Sequence, residues 1–170
     1  TAVSFLCTRT QAPDEDDNKK LRRVLLYLKK YPDLPLTLEA HNLRMVKWSI
    51  DASFAVHGDM RSHTGGCGTL GGGAFYAMSS KQKLNTRSST EAELVGVDDM
   101  MGKVLWTQLF LKAQGYNVGP ATIAQDNMSA MLLEKNGTWS STKRTRHLDV
   151  RYFFVTDRIS KGDVVVEYCP

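Results

Sequence analysis

No apolar run in the sequence approaches the roughly 20 residues that cross a bilayer, and the N-terminus lacks the basic-then-apolar pattern of a signal peptide. Neither membrane insertion nor export is indicated, and no membrane partner is expected. Cysteine is scarce: Cys7, Cys67 and Cys169 are an odd number without CxxC spacing, which suits reduced thiols better than a disulfide framework. An intracellular protein is therefore expected. Internal repeats and low-complexity tracts are absent, and so is a phosphate-cradling loop, because the Gly71–Gly73 run lacks GxxxxGK[ST] spacing and a following helix. No histidine is placed by sequence to activate Ser53 or Ser129, so nucleophilic catalysis has little support. What remains is 170 residues, 42% hydrophobic and 24% charged, enough for one globular domain with a real core plus an appended element. The net charge of +4 favours a polyanionic partner only weakly. Thr1 at the start, and Pro170 directly after a strand-like run, read as cuts in a longer polypeptide.

Along the chain, Asp14 to Lys30 has an acidic start, a basic end and a stripe of Leu21, Val24, Leu25 and Leu28, which predicts an amphipathic helix ended by Pro32 and Pro35. Residues 1–43 read as a satellite of a main domain over 44–170. From Met45 the period becomes two: Val46, Trp48 and Ile50 alternate with Lys47, Ser49 and Asp51, giving a strand that ends at Asp51. Glycine-separated β-formers then predict a hairpin turning at Gly71–Gly73 into a third strand, Ala74 to Ser79. A long helix follows from Ser89 to about Gly115, with Leu94, Val97, Met101, Val104, Leu105 and Phe110 on its apolar face. Ala121 to Asp126 is a short strand again ending in aspartate, followed by a short helix closed by Gly137, a basic loop, another helix and a last strand.

The stretch "RSSTEAELVGVDDM" holds two glutamates that a helix turns roughly 200° apart, so Glu91 and Glu93 cannot serve one site. Both have capping-box spacing, Ser88 to Glu91 and Thr90 to Glu93. Glu93 runs in line with Val97, Met100 and Val104 and heads a core-facing stripe, whereas Glu91 lies with Val95, Asp98 and Gly102 on a more solvated track. An unpaired carboxylate aimed at a sheet is destabilising by several kcal/mol, so Glu93 needs a cation. If the strands ending at Asp51 and Asp126 are parallel neighbours, both aspartates emerge at the edge where α/β sheets place ligands. Three converging carboxylates repel one another unless a hard cation with oxygen ligands compensates. The plainer alternative keeps Asp51 as a turn former, Asp126 as an N-cap and Glu93 as a cap partner.

Taken together, "WSIDASFAVHGDMRSHTGG", "SSKQKLNTRSSTEAELVGVDD", "QDNMSAMLLEKNG", "TKRTRHLDVRYFFVTDRI" and "VVVEYCP" resemble the ribonuclease H domain of copia-type LTR retrotransposon polyproteins, in order and spacing, from about Lys47 onward. Residues 2–30 are similar to the end of the reverse transcriptase region upstream in such polyproteins. The resemblance implies an α/β ribonuclease H-like fold: a five-stranded mixed sheet, three antiparallel strands then two parallel ones, flanked by helices, with an extra N-terminal helix. It implies that Asp51, Glu93 and Asp126 are catalytic and hold two Mg²⁺ ions, with Mn²⁺ as a substitute. The implied activity is endonucleolytic cleavage of the RNA strand in RNA/DNA hybrids during reverse transcription, in a cytoplasmic particle, with the reverse transcriptase of the same polyprotein as partner. The family pattern also has a fourth carboxylate on a helix after the last strand, before which this sequence stops at Pro170; Asp149 stands as a substitute, with His147 beside it.

Hybrid phosphates and ribose hydroxyls would be met by Ser53, Arg87, Asn127, Lys143, Arg144, Arg146 and His147, with Lys81 and Lys83 as further cations. The loop carrying Lys143 to Arg146 reads equally as a solvated face or a nuclear-localisation patch. His57, His63 and Cys67 invite a zinc reading, but the nearest fourth ligand, Asp59, is unusual for a structural site. Two other classes compete with the nuclease. One is a non-catalytic module that binds nucleic acid or braces a polymerase. The other is an integrase or transposase-like core, which would draw its third carboxylate from Asp149 and leave Glu93 dispensable.

Overall fold

The structure, a computed structural model, describes residues 2–136 and 149–169. Two helices lead, α1 over Ala2–Cys7 and α2 over Glu15–Lys30, followed by a two-residue strand β1 at Glu39–Ala40. Then come β2 (Lys47–Ser53), β3 (His63–Thr69), β4 (Gly71–Gly72), β5 (Ala74–Lys81), α3 (Ser89–Ala113), β6 (Ala121–Gln125), α4 (Met128–Asn136), α5 (Asp149–Ser160) and β7 (Val164–Tyr168). The main sheet has the order β5-β3-β2-β6-β7. The β2–β3 and β3–β5 pairs are antiparallel, while β2–β6 and β6–β7 are parallel. That is the five-stranded mixed sheet the resemblance implies.

Binary patterning decides which face of β2 is buried. Trp48, Ile50 and Ala52 point into the core while Lys47, Ser49, Asp51 and Ser53 point out. The inward set packs against Val97, Met100, Met101 and Val104 of α3 in one hydrophobic core, which Ile123, Val155, Val164 and Val166 complete. β6 is buried along its whole length, as expected of a parallel strand with neighbours on both sides. Trp48 sits edge-on to Phe75 at 5.6 Å, and Gly68 on β3 is where this aromatic layer needs a missing side chain: a Cβ there would lie 2.9 to 3.0 Å from the Phe75 and Trp48 rings. The glycine turn pairs with upstream chain, β1 against β4, and Gly73 takes φ +68° with the Thr37 carbonyl 2.2 Å from where a Cβ would stand.

Several expectations change in detail. Asp51 does not end its strand, which continues to Ser53 because β3 pairs with it up to the Ser53–His63 register. The third strand runs two residues further, to Lys81. Phe110 is exposed rather than core-facing and stacks on exposed Trp106. Leu105 is only partly buried against the core. Most of the α2 stripe is also uncovered among the described residues: Leu21, Leu25 and Leu28 are exposed and Val24 is half-buried. The helix itself follows its caps, Asp14 and Asp17 forming a reciprocal capping box with Arg9 bridging both carboxylates. No helix among the described residues is long and apolar enough to cross a membrane.

Candidate metal centre

Parallel register brings two aspartates level. Ser49 on β2 stands opposite Ala124 on β6, and two residues further along each strand direction come Asp51 and Asp126, on the same side as those partners by the alternation of the pleat. Both aspartates are exposed. Glu93 reaches them from the first turns of α3: its Oε1 accepts a hydrogen bond from the Ala52 backbone N–H at 3.2 Å. One carboxylate oxygen from each of Asp51, Glu93 and Asp126 lies within 4.8 Å of the others. This is the one such cluster of potential metal-ligating side chains among the described residues.

The electrostatics follow from placement. Glu93 is only 5% exposed, and its Oε2 is buried with no hydrogen-bond partner among the described residues. Burial pushes its carboxyl up to about 7, against the opposing pull of the Ala52 amide; the Asp51 and Asp126 charges push it further up and the Gln125 side chain pulls it down. Three carboxylates, one of them with an unpartnered oxygen, form a set that suits a hard divalent cation and offers nothing to a soft one. The residues present therefore fit a hard divalent cation. Beside them the outer face of the sheet forms an open cleft of about 740 Å³, floored by Ser49, Cys67, Ala77 and Ser79 and walled on one side by Val3 and Ser4 of α1.

Glu91 is not on a solvated track. It is 7% exposed, its backbone N–H donates to the Ser88 hydroxyl, and its Oε2 accepts from the Arg87 backbone N–H at 2.8 Å. The cap folds this carboxylate back onto the chain, which explains a second buried glutamate two residues from the first. Capping at α4 likewise falls to Asn127 and not Asp126: the Ala130 N–H donates to Asn127 Oδ1 at 3.0 Å, which leaves the aspartate turned to the cluster.

Among the expected substrate contacts, Asn127 adjoins the cluster as this cap, and Arg87 is exposed just before α3. Ser53 is exposed but lines a separate cavity with Phe5, Leu6 and His57, away from the three carboxylates. Lys81 pairs with Asp59 at 2.7 Å. Lys143, Arg144, Arg146 and His147 lie outside the described residues, as does the side chain of Asp149. His57 and His63 form no zinc site: their rings bond each other, Nε2 to Nδ1 at 3.0 Å, and the other His63 nitrogen meets Ser79 Oγ at 2.8 Å. Burial holds both imidazoles below their ordinary value, which favours the neutral forms this chain of bonds requires.

Two residues behind the cluster escaped the sequence reading. Gln125 and Glu134 are fully buried, and the Glu134 carboxyl has neither oxygen hydrogen-bonded among the described residues. The signal was present: Glu134 lies four residues after Ala130, on the core-facing stripe of α4, the same reasoning that singles out Glu93.

No protein-family model matches the chain. Its fold is that of ribonuclease H: it superposes on LC11 ribonuclease H1, isolated from compost by a metagenomic approach, with a TM-score of 0.51 at 11% identity, over 75% of this chain and 85% of that one. In sequence it is 33% identical over 123 residues, 72% of its length, to the retrovirus-related Pol polyprotein from transposon TNT 1-94 of Nicotiana tabacum. It is 31% identical over 163 residues, 95% of its length, to the corresponding polyprotein from transposon RE2 of Arabidopsis thaliana. The chain is thus a ribonuclease H-type domain homologous to a segment of the retrovirus-related Pol polyproteins of plant transposons. It spans 9% and 11% of the length of these two relatives.

Proposed function

We propose that this domain is a magnesium-dependent endonuclease that cuts the RNA strand of RNA/DNA hybrids by two-metal-ion phosphodiester hydrolysis. What carries the reading is the meeting of Asp51, Glu93 and Asp126 within 4.8 Å, on a fold shared with a ribonuclease H1 whose structure is also known in complex with an RNA/DNA hybrid. Asp51, Glu93 and Asp126 would hold the divalent ions, which when bound would supply an activated water and stabilisation of the leaving oxygen. The chain's own residues prepare the place. Asp51 presents its carboxylate from within β2 and Asp126 from just past the end of β6, and the Ala52 N–H fixes the rotamer of Glu93 so that its unpartnered Oε2 is left to a ligand. Burial raises the Glu93 carboxyl to about 7, and a bound cation would favour its ionised form.

Arg87 and Asn127, together with the basic residues Lys143, Arg144 and Arg146 and with His147, are placed in sequence to meet hybrid phosphates and ribose hydroxyls. We assign residues 1–43 to the end of the preceding reverse transcriptase region, with that polymerase as the partner in the same intracellular polyprotein. The test is cleavage of labelled RNA/DNA, RNA/RNA and DNA/DNA duplexes with and without Mg²⁺. Hybrid-only, metal-dependent cutting is the expected result. Cutting of DNA/DNA, or cutting that survives chelation, overturns the reading.

A further inference from the structure

Behind the carboxylate cluster lies a second, fully buried polar layer. Gln125 is 1% exposed and Glu134 0% exposed. The orientation of the Gln125 amide is fixed by chemistry: its Oε1 accepts the Asp126 backbone N–H at 3.0 Å, and only the carbonyl end of an amide can do so. Nε2, with its two hydrogens, must therefore point the other way. There it faces the carboxyls of both Glu93 and Glu134, each of which gains stabilisation of its charged form from this side chain. Among the described residues the contact falls short of full hydrogen-bond geometry with either one, leaving Gln125 Nε2, Glu93 Oε2 and both Glu134 oxygens without partners.

From this geometry we propose that Gln125 is a positioning residue for the metal centre, an amide wedge that ties Asp126 to Glu93 from behind, seated on Glu134 as its acceptor underneath. One amide has one acceptor for the Asp126 backbone and two donor hydrogens for two carboxyls, so a single side chain can fix two of the three cluster residues. Glu134 has no cation within ion-pairing distance among the described residues, and a buried carboxylate without one is strongly disfavoured, so it serves as the neutral acid, accepting through its carbonyl oxygen. The α4 backbone holds it in place, since the Glu134 carbonyl accepts from Thr156 Oγ1 of α5 at 2.8 Å. Partners that orient metal ligands in this way commonly matter by about 10- to 100-fold in metal affinity.

The inference rests on the metal reading above, so its test has one arm with metal and one without. By titration calorimetry of the whole chain with Mg²⁺, Gln125→Leu and the shape-matched Gln125→Glu, which cannot donate, are expected to weaken binding by about 10-fold or more. Glu134→Leu should weaken it as well, and Glu134→Gln, which retains a neutral acceptor, should restore it. Parent-like affinity in both Gln125 variants, or equal damage from Glu134→Gln and Glu134→Leu, overturns the proposal. In metal-free protein the Gln125 side-chain NH₂ resonances should exchange slowly and shift in both Glu134→Leu and Glu93→Ala. If the parent binds no Mg²⁺, the nuclease reading fails while these resonances still decide the wedge: a shift in both variants supports it, and unshifted signals refute it.

Discussion

Glu93 on α3 accepts a hydrogen bond from the backbone N–H of Ala52, 41 residues earlier in the chain and next to Asp51, at 3.2 Å. This one bond joins the long helix to the central strand at the rim where Asp51 and Asp126 emerge. It also separates the roles of two neighbouring glutamates, since Glu91, equally buried, spends its carboxylate on the Arg87 amide.

Glu93→Gln is therefore expected to keep the fold and abolish Mg²⁺-dependent cutting of a labelled hybrid, because the amide preserves the Ala52 contact but removes the charge. Glu91→Gln should retain most cutting and lower stability by about 1 kcal/mol, the usual scale for a weakened cap. Cleavage rates and denaturant midpoints of both variants check this. Equal loss of cutting in the two would contradict the assignment.

Metal-free protein should lose stability as pH rises. Glu93 is raised to about 7 and Glu134 to about 8, from an ordinary value of 4.5. Raised acids hold protons in the folded state that the unfolded chain has already released, so ν_U is less than ν_N between the two values and the slope of stability with pH is negative. The stability is fully present below about 4.5 and is lost as pH climbs through 7 to 8. For Glu93 alone the loss is roughly 3 kcal/mol. Urea unfolding in chelator at pH 5, 6.5 and 8 measures it, and Glu93→Gln or Glu134→Gln should each flatten the slope. Saturating Mg²⁺ should recover stability at pH 8, since the ion favours ionised Glu93. A metal-free midpoint as high at pH 8 as at pH 5 is the contrary result.

Much of this arrangement could be read in the residues. Period-two alternation places Trp48 inside and Asp51 outside, and the stripe from Glu93 to Val104 aims that glutamate at the sheet. What periodicity cannot supply is competition between partners. Glu91 is drawn inward by the Arg87 amide, a local bond that no hydrophobic pattern encodes. Asn127 takes the cap of α4 from the neighbouring Asp126. Phe110 continues the apolar pattern of α3 but stacks on Trp106 in solvent, while the adjacent Leu111 is the residue that turns into the core. The Gln125–Glu134 layer depends on α4 packing beside α3 and α5, a tertiary fact that a nine-residue helix does not announce.

Gly68→Ala tests the aromatic layer beneath the site. A methyl group there would meet rigid rings, Phe75 at 2.9 Å and Trp48 at 3.0 Å. The fully buried Trp48 ring cannot swing aside as a methionine tail can, so overpacking by about 1 to 3 kcal/mol is expected. Gly66→Ala is the control: its nearest neighbour is the flexible end of Met100 at 2.8 Å, and the side chain can give way. Thermal unfolding of the pair should place Gly68→Ala clearly below Gly66→Ala, and the reverse order would mean that the Trp48 layer is looser than its geometry indicates.

Asp126 and Asn127 are adjacent and do different work, so their variants should separate cleanly. Asp126→Asn removes an exposed charge from a repulsive cluster while the Gln125–Asp126 backbone bond survives, so stability should be unchanged or slightly higher and Mg²⁺ affinity should collapse. Asn127→Ala removes the acceptor for the Ala130 N–H and should cost about 1 kcal/mol, or roughly 2 to 4 °C in a domain of this size. Its Mg²⁺ affinity should stay near that of the parent, because the cluster oxygens are untouched. Calorimetry and thermal melts on the two variants give a crossed pattern if the aspartate serves the ion and the asparagine serves the helix. A loss of metal binding in Asn127→Ala that matches Asp126→Asn would instead show that the start of α4 has to be capped for the third carboxylate to reach the cluster at all.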